Sequence, residues 1–268
     1  ISENTAQLMQ GDLFGSRTLT NKTEKIVTLL SPVANPPEIY GIGLNYKEHT
    51  TQAGFSVPDY PQLFFKNSAS LNNPFGEVVV PKIMVRPDYE GELAIVIGKT
   101  CKNVKGKAAL SCILGYSICN DVTARCWQKG EEGCPNNMGN GGQWSYGKSF
   151  DTSAPIGPQL VTRSVLNGGS GLKLKTQING VTNQSVNTDD MIFNPTEIVA
   201  FLSQAMTLRP GSVICTGTPA GVGDNLSPPA YLKDGDVMAV SVDKIGTLVN
   251  KVNVTMETPK DLGPYLTL

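Results

Sequence analysis

The chain has 268 residues, 40% of them hydrophobic and 17% charged, with a formal net charge of −1. That balance supplies no basic surface for nucleic acid or an anionic membrane, and no apolar run is long enough to span a bilayer. The composition is that of an ordinary soluble globular protein, long enough for one large domain or two small ones. With 28 glycines and 18 prolines the chain must turn often, which favours a β-rich α+β fold with a few short helices over a helical bundle. The six cysteines (101, 112, 119, 126, 134 and 215) form no C-x-x-C pair and no zinc spacing. Most of them sit among apolar neighbours and read as reduced, buried fillers, which favours a reducing intracellular compartment. The opening Ile1-Ser2-Glu3-Asn4-Thr5 is polar and does not read as a signal peptide, as a processed or truncated N-terminus also would not.

Residues 1–37 read as a small N-terminal segment of hairpin or strand-helix type, with a Pro-rich linker at 31–37. The main domain, 38–268, opens with a strand at Glu38-Ile39-Tyr40-Gly41-Ile42-Gly43. A short helix over 44–54 follows, ended by Gly54. It carries Tyr46 and His49, the single histidine of the chain, which could be an ordinary structural residue or an acid/base. The strand Pro61-Gln62-Leu63-Phe64-Phe65-Lys66 ends in a lysine that either snorkels to solvent or pairs with a carboxylate. Another strand covers 77–81.

Asp88-Tyr89-Glu90-Gly91-Glu92 runs into the apolar Leu93-Ala94-Ile95-Val96-Ile97, which reads as a buried strand. Alternation places Glu90 and Glu92 on one side, with Asp88 behind them. Two adjacent carboxylates entering an apolar core need a cation between them, and a hard divalent ion such as Mg²⁺ is the simplest. An exposed acidic strand end without a ligand is the plain alternative. The strand 113–120 ends at Asp121, which leads a helix over 122–128 and could simply be its N-cap. Arg125 and Gln128 share a face of that helix and suit an oxygen-rich anion. The Gly/Asn-rich stretch 129–147 reads as a lid or a long surface insertion. Lys148 follows it. Asn179-Gly180 marks a hairpin between 172 and 186, and Asn194-Pro195-Thr196-Glu197 opens a helix to about residue 207. After the strand 211–215, the turn Thr216-Gly217-Thr218-Pro219-Ala220-Gly221-Val222-Gly223 offers backbone N–H groups to an anion, without a Walker signature. Two tail strands cover 236–242 and 247–254.

Six motifs in order resemble the fumarylacetoacetate hydrolase superfamily: G-I-G-L-N-Y-K-E-H (41–49), L-F-F-K (63–66), Y-E-G-E-L-A-I-V-I-G-K (89–99), G-Y-S-I-C-N-D-V-T-A-R-C-W-Q (115–128), K-S-F-D (148–151) and C-T-G-T-P-A-G-V-G (215–223). The resemblance spans about 38–256. It implies a mixed β-roll or β-sandwich fold, a homodimer, and a Mg²⁺ or Mn²⁺ site held by Glu90, Glu92 and Asp121. It further implies that His49 moves a proton or activates water, and that Lys148 steadies developing enolate charge. Tyr46, Arg125, Gln128 and Thr218 would hold substrate oxygens. The implied enzyme cleaves a C–C bond of a small 2-keto or 2,4-diketo acid, by decarboxylation or hydrolysis through a metal-held enolate. A keto–enol isomerase of the same fold, or a metal-binding member without activity, is the alternative. A cytoplasmic location is expected, with a mitochondrial one left open.

One position departs from the pattern. Acylpyruvate hydrolases of this group commonly place a Glu three residues after the His, and here that residue is Gln52. Glu48 points about 100° away from His49 on a helix and is a poor substitute.

Overall fold

The computed structural model describes residues 5–131, 134 and 142–255. At the N-terminus, β1 (Thr5–Gly11) and β2 (Arg17–Lys25) form an antiparallel, largely exposed hairpin. β3 (Ile39–Gly43) leads into α1 (Lys47–Gln52), and β4 (Gln62–Lys66) returns antiparallel beside β3. The short β5 (Leu71–Asn72), β6 (Val78–Pro81) and β7 (Pro87–Asp88) precede the central β8 (Gly91–Ile97). Then come α2 (Lys107–Cys112), β9 (Ile113–Asn120), β10 (Thr123–Ala124), α3 (Arg125–Lys129) and α4 (Trp144–Gly147). β11 (Ala154–Thr162) is followed by the hairpin of β12 (Lys173–Ile178) and β13 (Val181–Asn187), then by α5 (Pro195–Ala205). β14 (Val213–Cys215), β15 (Val237–Val242) and β16 (Gly246–Thr255) complete the order.

A seven-stranded mixed sheet, β4-β3-β14-β8-β9-β11-β5, packs against a five-stranded sheet, β13-β12-β15-β16-β6. β8 lies near the middle of the larger sheet and is buried on both faces, which is why its sequence is a continuous apolar run. Leu93, Ile95 and Ile97 join the main core with Val240 and Val242 of the second sheet. Ala94 and Val96 join a separate cluster with Cys119, Val213 and Cys215. Gly91 faces the second sheet at such close range that a Cβ there would lie 2.1 Å from Thr176 Oγ1, so the residue between the two acids has no room for a side chain. α5 is held by a capping box: Asn194 accepts from the Thr196 and Glu197 N–H groups, and Glu197 accepts from the Asn194 N–H.

Several expectations change. The helix read over 122–128 starts at Arg125, with Ala124 as its N-cap, because Thr123 and Ala124 pair with β7. Asp121 therefore caps no helix. The stretch 31–37 is not a free linker: the Ser31 N–H donates to Asn73 Oδ1, and Val33 is buried in the cluster around Ala94. The cysteines are not all reduced. Cys101 is bonded to Cys112 and Cys126 to Cys134, leaving Cys119 and Cys215 free and buried. Pairs 11 and 8 residues apart have no signature spacing; only the return of the chain through α2, and past α3, brings them together. The argument from cysteine usage to a reducing compartment falls with them. Part of the stretch read as a lid (132, 133 and 135–141) lies outside the described residues. Among those described, no helix is long and apolar enough to cross a membrane.

Candidate active site

β8 and β9 run antiparallel with Gly91 opposite Asn120, so Glu90 and Asp121 leave the sheet at the same end. The local backbone locks this arrangement. The Asp121 N–H donates to Glu90 O at 2.8 Å, and the Glu90 N–H donates to Asn120 Oδ1 at 3.0 Å. One carboxylate oxygen each from Glu90, Glu92 and Asp121 lies within 4.8 Å of the other two, and all three residues are buried.

Three buried carboxylates at that range need positive charge. Lys148 Nζ sits 2.7 Å from Glu90 Oε2 and 2.6 Å from Asp121 Oδ2. Lys66 Nζ lies 2.7 Å from Asp121 Oδ1, and Arg125 Nη1 lies 2.7 Å from Glu90 Oε1. Burial raises the Glu90 carboxyl, but Lys148 and Arg125 outweigh it and hold the group down to about 2. Glu92 differs. Its Oε2 accepts from the Gly217 N–H at 2.7 Å, and no cation among the described residues pairs with it. Burial, then Asp121, pushes its carboxyl well above the ordinary value. Gly217 reaches it with φ +99°, a left-handed conformation in which an added Cβ would also meet Asn45 Cβ at 2.7 Å. Three oxygen donors with one carboxylate still lacking a counter-charge fit a hard divalent cation.

Arg125 is fixed from behind. Its Nε and Nη2 lie 2.8 and 2.7 Å from Asp88 Oδ2, and its Nη1 donates to Gln128 Oε1 at 2.8 Å. Asp88 also accepts from the Gly223 and Asp224 N–H groups at 2.8 and 3.0 Å, tying the 216–223 turn to the guanidinium. Asp88 was legible in the sequence as a third acid of its run, but its anchoring role was not. His49 on α1 is 8% exposed, its Nδ1 has no hydrogen-bond partner among the described residues, and burial drives its pKa down to about 4. The Gln52 Oε1 accepts from the Gly221 N–H at 3.3 Å.

Two residues expected to hold substrate sit differently. Thr218 lines the cavity, but its hydroxyl donates to Gly91 O and accepts from Gln184 Nε2, so it braces the turn against β8. Tyr46 does not line this cavity. Its backbone pairs with Met191, and the residue borders a separate pocket with Lys47, Asp190 and Pro219. Glu90, Arg125, Lys148, His49, Gln128 and Thr218 all open onto one cavity of about 470 Å³, with Phe64 and Trp144 among its apolar walls. Lys148 Nζ lies 4.8 Å from the centre of the Phe64 ring.

The model of the fumarylacetoacetate (FAA) hydrolase C-terminal family matches residues 38–253, the part of the chain that builds both sheets and this cavity. The chain belongs to the fumarylacetoacetate hydrolase family. Among curated relatives, it is 40% identical over 226 residues to the human oxaloacetate tautomerase FAHD2A, mitochondrial, covering 84% of this chain and 69% of that protein. It is 41% identical over 223 residues to the 2,4-didehydro-3-deoxy-L-rhamnonate hydrolase of Sphingomonas sp. (strain SKA58), covering 83% and 75%. Among solved structures, the 2-hydroxyhepta-2,4-diene-1,7-dioate isomerase of Mycobacterium marinum superposes with a TM-score of 0.79 at 34% identity, over 94% of this chain and 89% of that one. Family relatives thus include tautomerases, isomerases and hydrolases.

Proposed function

We propose that this fumarylacetoacetate hydrolase family chain is a Mg²⁺- or Mn²⁺-dependent enzyme of a small 2-keto acid, and that proton transfer between keto and enol forms is its fastest reaction. Glu90, Glu92 and Asp121 would hold the ion. The ion would supply Lewis-acid polarisation of the substrate carbonyl, making the neighbouring C–H more acidic.

The rest falls to the chain. Lys148 places a fixed ammonium between Glu90 and Asp121 at the floor of the cavity, where negative charge develops on the substrate oxygen. Arg125, held rigid by Asp88, presents its guanidinium to the substrate carboxylate, and Gln128 supplies an amide beside it. His49 is neutral at physiological pH, so it can take a proton from the carbon next to the keto group and return one to the same carbon.

The observation that carries the choice of reaction is the pair His49 and Gln52. Activating water for hydrolysis asks His49 for a strong, oriented base, normally made by a carboxylate on the other ring nitrogen. Here that nitrogen has no partner among the described residues, and the Gln52 oxygen is turned to Gly221. Tautomerisation needs only the proton transfer, and decarboxylation only the later protonation. The human relative named an oxaloacetate tautomerase supports the same reading, and its mitochondrial designation supports a mitochondrial location over a cytoplasmic one. Hydrolytic C–C cleavage is the second reading, favoured by the 41% identity to a hydrolase. We further propose that the chain works as a homodimer, on the family resemblance alone. Stopped-flow ultraviolet absorbance on enol-oxaloacetate, alongside acylpyruvate hydrolysis and oxaloacetate decarboxylation, tests the assignment. Hydrolysis as the dominant Mg²⁺-dependent rate would overturn it.

A further inference from the structure

The apolar wall of the cavity has no part in the chemistry above, yet its rings are closely seated. Phe64 and Trp144 meet edge to face, with ring centres 5.9 Å apart. β3 makes room for both. A Cβ on Gly41 would collide with the Phe64 ring, and one on Gly43 would lie 3.1 Å from the Trp144 indole. Alternate residues of a strand share a face, so the two glycines form a bare backbone bed for the two rings. That bed sets the rings beside the reacting centre, where Lys148 Nζ lies 4.8 Å from the centre of the Phe64 ring. Leu44 and Phe55 extend the wall. Leu44 turns the chain from β3 into α1 with a φ of +53°, uncommon for a leucine. Phe55 follows Gly54, which turns the chain after α1 with a φ of +80°, and is 58% exposed, which places it at the mouth.

Chain order says which part of a substrate meets this wall. The segment through α1 supplies Leu44, His49 and Phe55, whereas α3 supplies Arg125 and Gln128. A 2-keto acid with its carboxylate at Arg125 and its keto oxygen at Lys148 offers His49 the next carbon. That same carbon bears the tail, so the tail lies along the segment of His49 and against the rings. A cavity of about 470 Å³ has room for the head and a ring together. An aryl tail suits the reaction as well as the wall. It conjugates with the enol and makes the adjacent C–H more acidic, so less is asked of the base. Resting on the reading that the floor binds a 2-keto acid head, we propose that this wall is an aryl-tail subsite and that arylpyruvates are the preferred substrate class. Their tautomerisation moves one proton off the carbon beside the ring and one onto the keto oxygen, or the reverse, and needs no co-reactant. Phe55 and Trp144 are the specificity-determining residues.

The test is calorimetric binding of four unreactive probes to the Mg²⁺-loaded full chain. Oxalate reads the head alone. N-phenyloxamate, N-cyclohexyloxamate and N-oxalylglycine share an oxamate head and carry an aromatic, a saturated and an acidic tail. N-phenyloxamate should bind about tenfold tighter than N-oxalylglycine, with N-cyclohexyloxamate in between, the return expected from burying a ring against two others. Trp144→Ala should weaken N-phenyloxamate at least about threefold and leave oxalate unchanged. Phe55→Ala should act in the same direction, and because Phe55 is largely exposed it keeps the test open if Trp144→Ala disturbs the fold. Enol-phenylpyruvate, followed by ultraviolet absorbance, should be ketonised with a higher kcat/KM than enol-oxaloacetate. Oxalate binding with N-oxalylglycine or N-cyclohexyloxamate as tight as N-phenyloxamate would overturn the aryl subsite while leaving the head site standing. Absence of oxalate binding would overturn the head site and the subsite together.

Discussion

Replacing Lys148 by Met tests the electrostatic core of the site. The side chain is 1% exposed and its ammonium bridges Glu90 and Asp121 at 2.7 and 2.6 Å. Methionine roughly fills the volume but removes the shared cation from two buried carboxylates. Breaking a buried ion pair by deleting one partner costs about 3–5 kcal/mol, because the survivor keeps its desolvation penalty. Here Arg125 still touches Glu90 and Lys66 still touches Asp121, so the lower end, about 3 kcal/mol, is expected. Urea unfolding at pH 7 with EDTA should show that loss as a lower midpoint with an unchanged slope. Adding Mg²⁺ should return part of it, since a divalent ion replaces the missing charge. Under Mg²⁺ the variant's kcat should fall at least about a hundredfold, as when one charge-stabilising donor is removed. A stability loss below about 1 kcal/mol together with near-normal turnover would refute the placement of Lys148 at the centre of the charge network.

Glu92→Gln should bind Mg²⁺ far more weakly by calorimetry yet be as stable as the parent chain, or more so, in EDTA. The reason is that burial and Asp121 already disfavour the Glu92 charge; unchanged Mg²⁺ affinity would remove it from the ligand set. Gln52→Glu should raise acylpyruvate hydrolysis relative to oxaloacetate tautomerisation by placing a carboxylate on the helix of His49, and an efficient native hydrolysis that the substitution does not alter would count against the proposed reaction. The folded pKa of His49, about 4, lies below the 6.5 of an unperturbed histidine. Between those values the unfolded chain binds the extra proton, so stability is fully present above pH 6.5 and is lost as pH falls toward 4. The loss should be on the order of a few kcal/mol. His49→Leu should flatten that limb of the urea-midpoint profile, and an unchanged profile would show that His49 is not buried neutral.

Much of this protein follows from local sequence alone. The alternation of Glu90 and Glu92 about a glycine, running into a continuous apolar strand, fixes two carboxylates on one side of a buried β8, since side chains in a strand alternate whatever surrounds them. The Asn179-Gly180 hairpin and the Asn194–Glu197 capping box are equally local, and both form where the turn and cap residues place them. What lies far apart in the chain was decided only by the tertiary structure. The register of β8 on β9 delivers Asp121 to Glu90, and the return of the chain after α4 delivers Lys148 between them. The role of Asp88 as the anchor of Arg125 depends on a turn 135 residues away, whose N–H groups complete its coordination. The cysteine pairs escaped the sequence for the same reason: a disulfide needs two Cβ atoms brought face to face, and spacing along the chain does not specify that. Tyr46, close to His49 in the chain, borders a separate pocket with Asp190 and Pro219 rather than the main cavity, a placement that sequence neighbourhood does not specify.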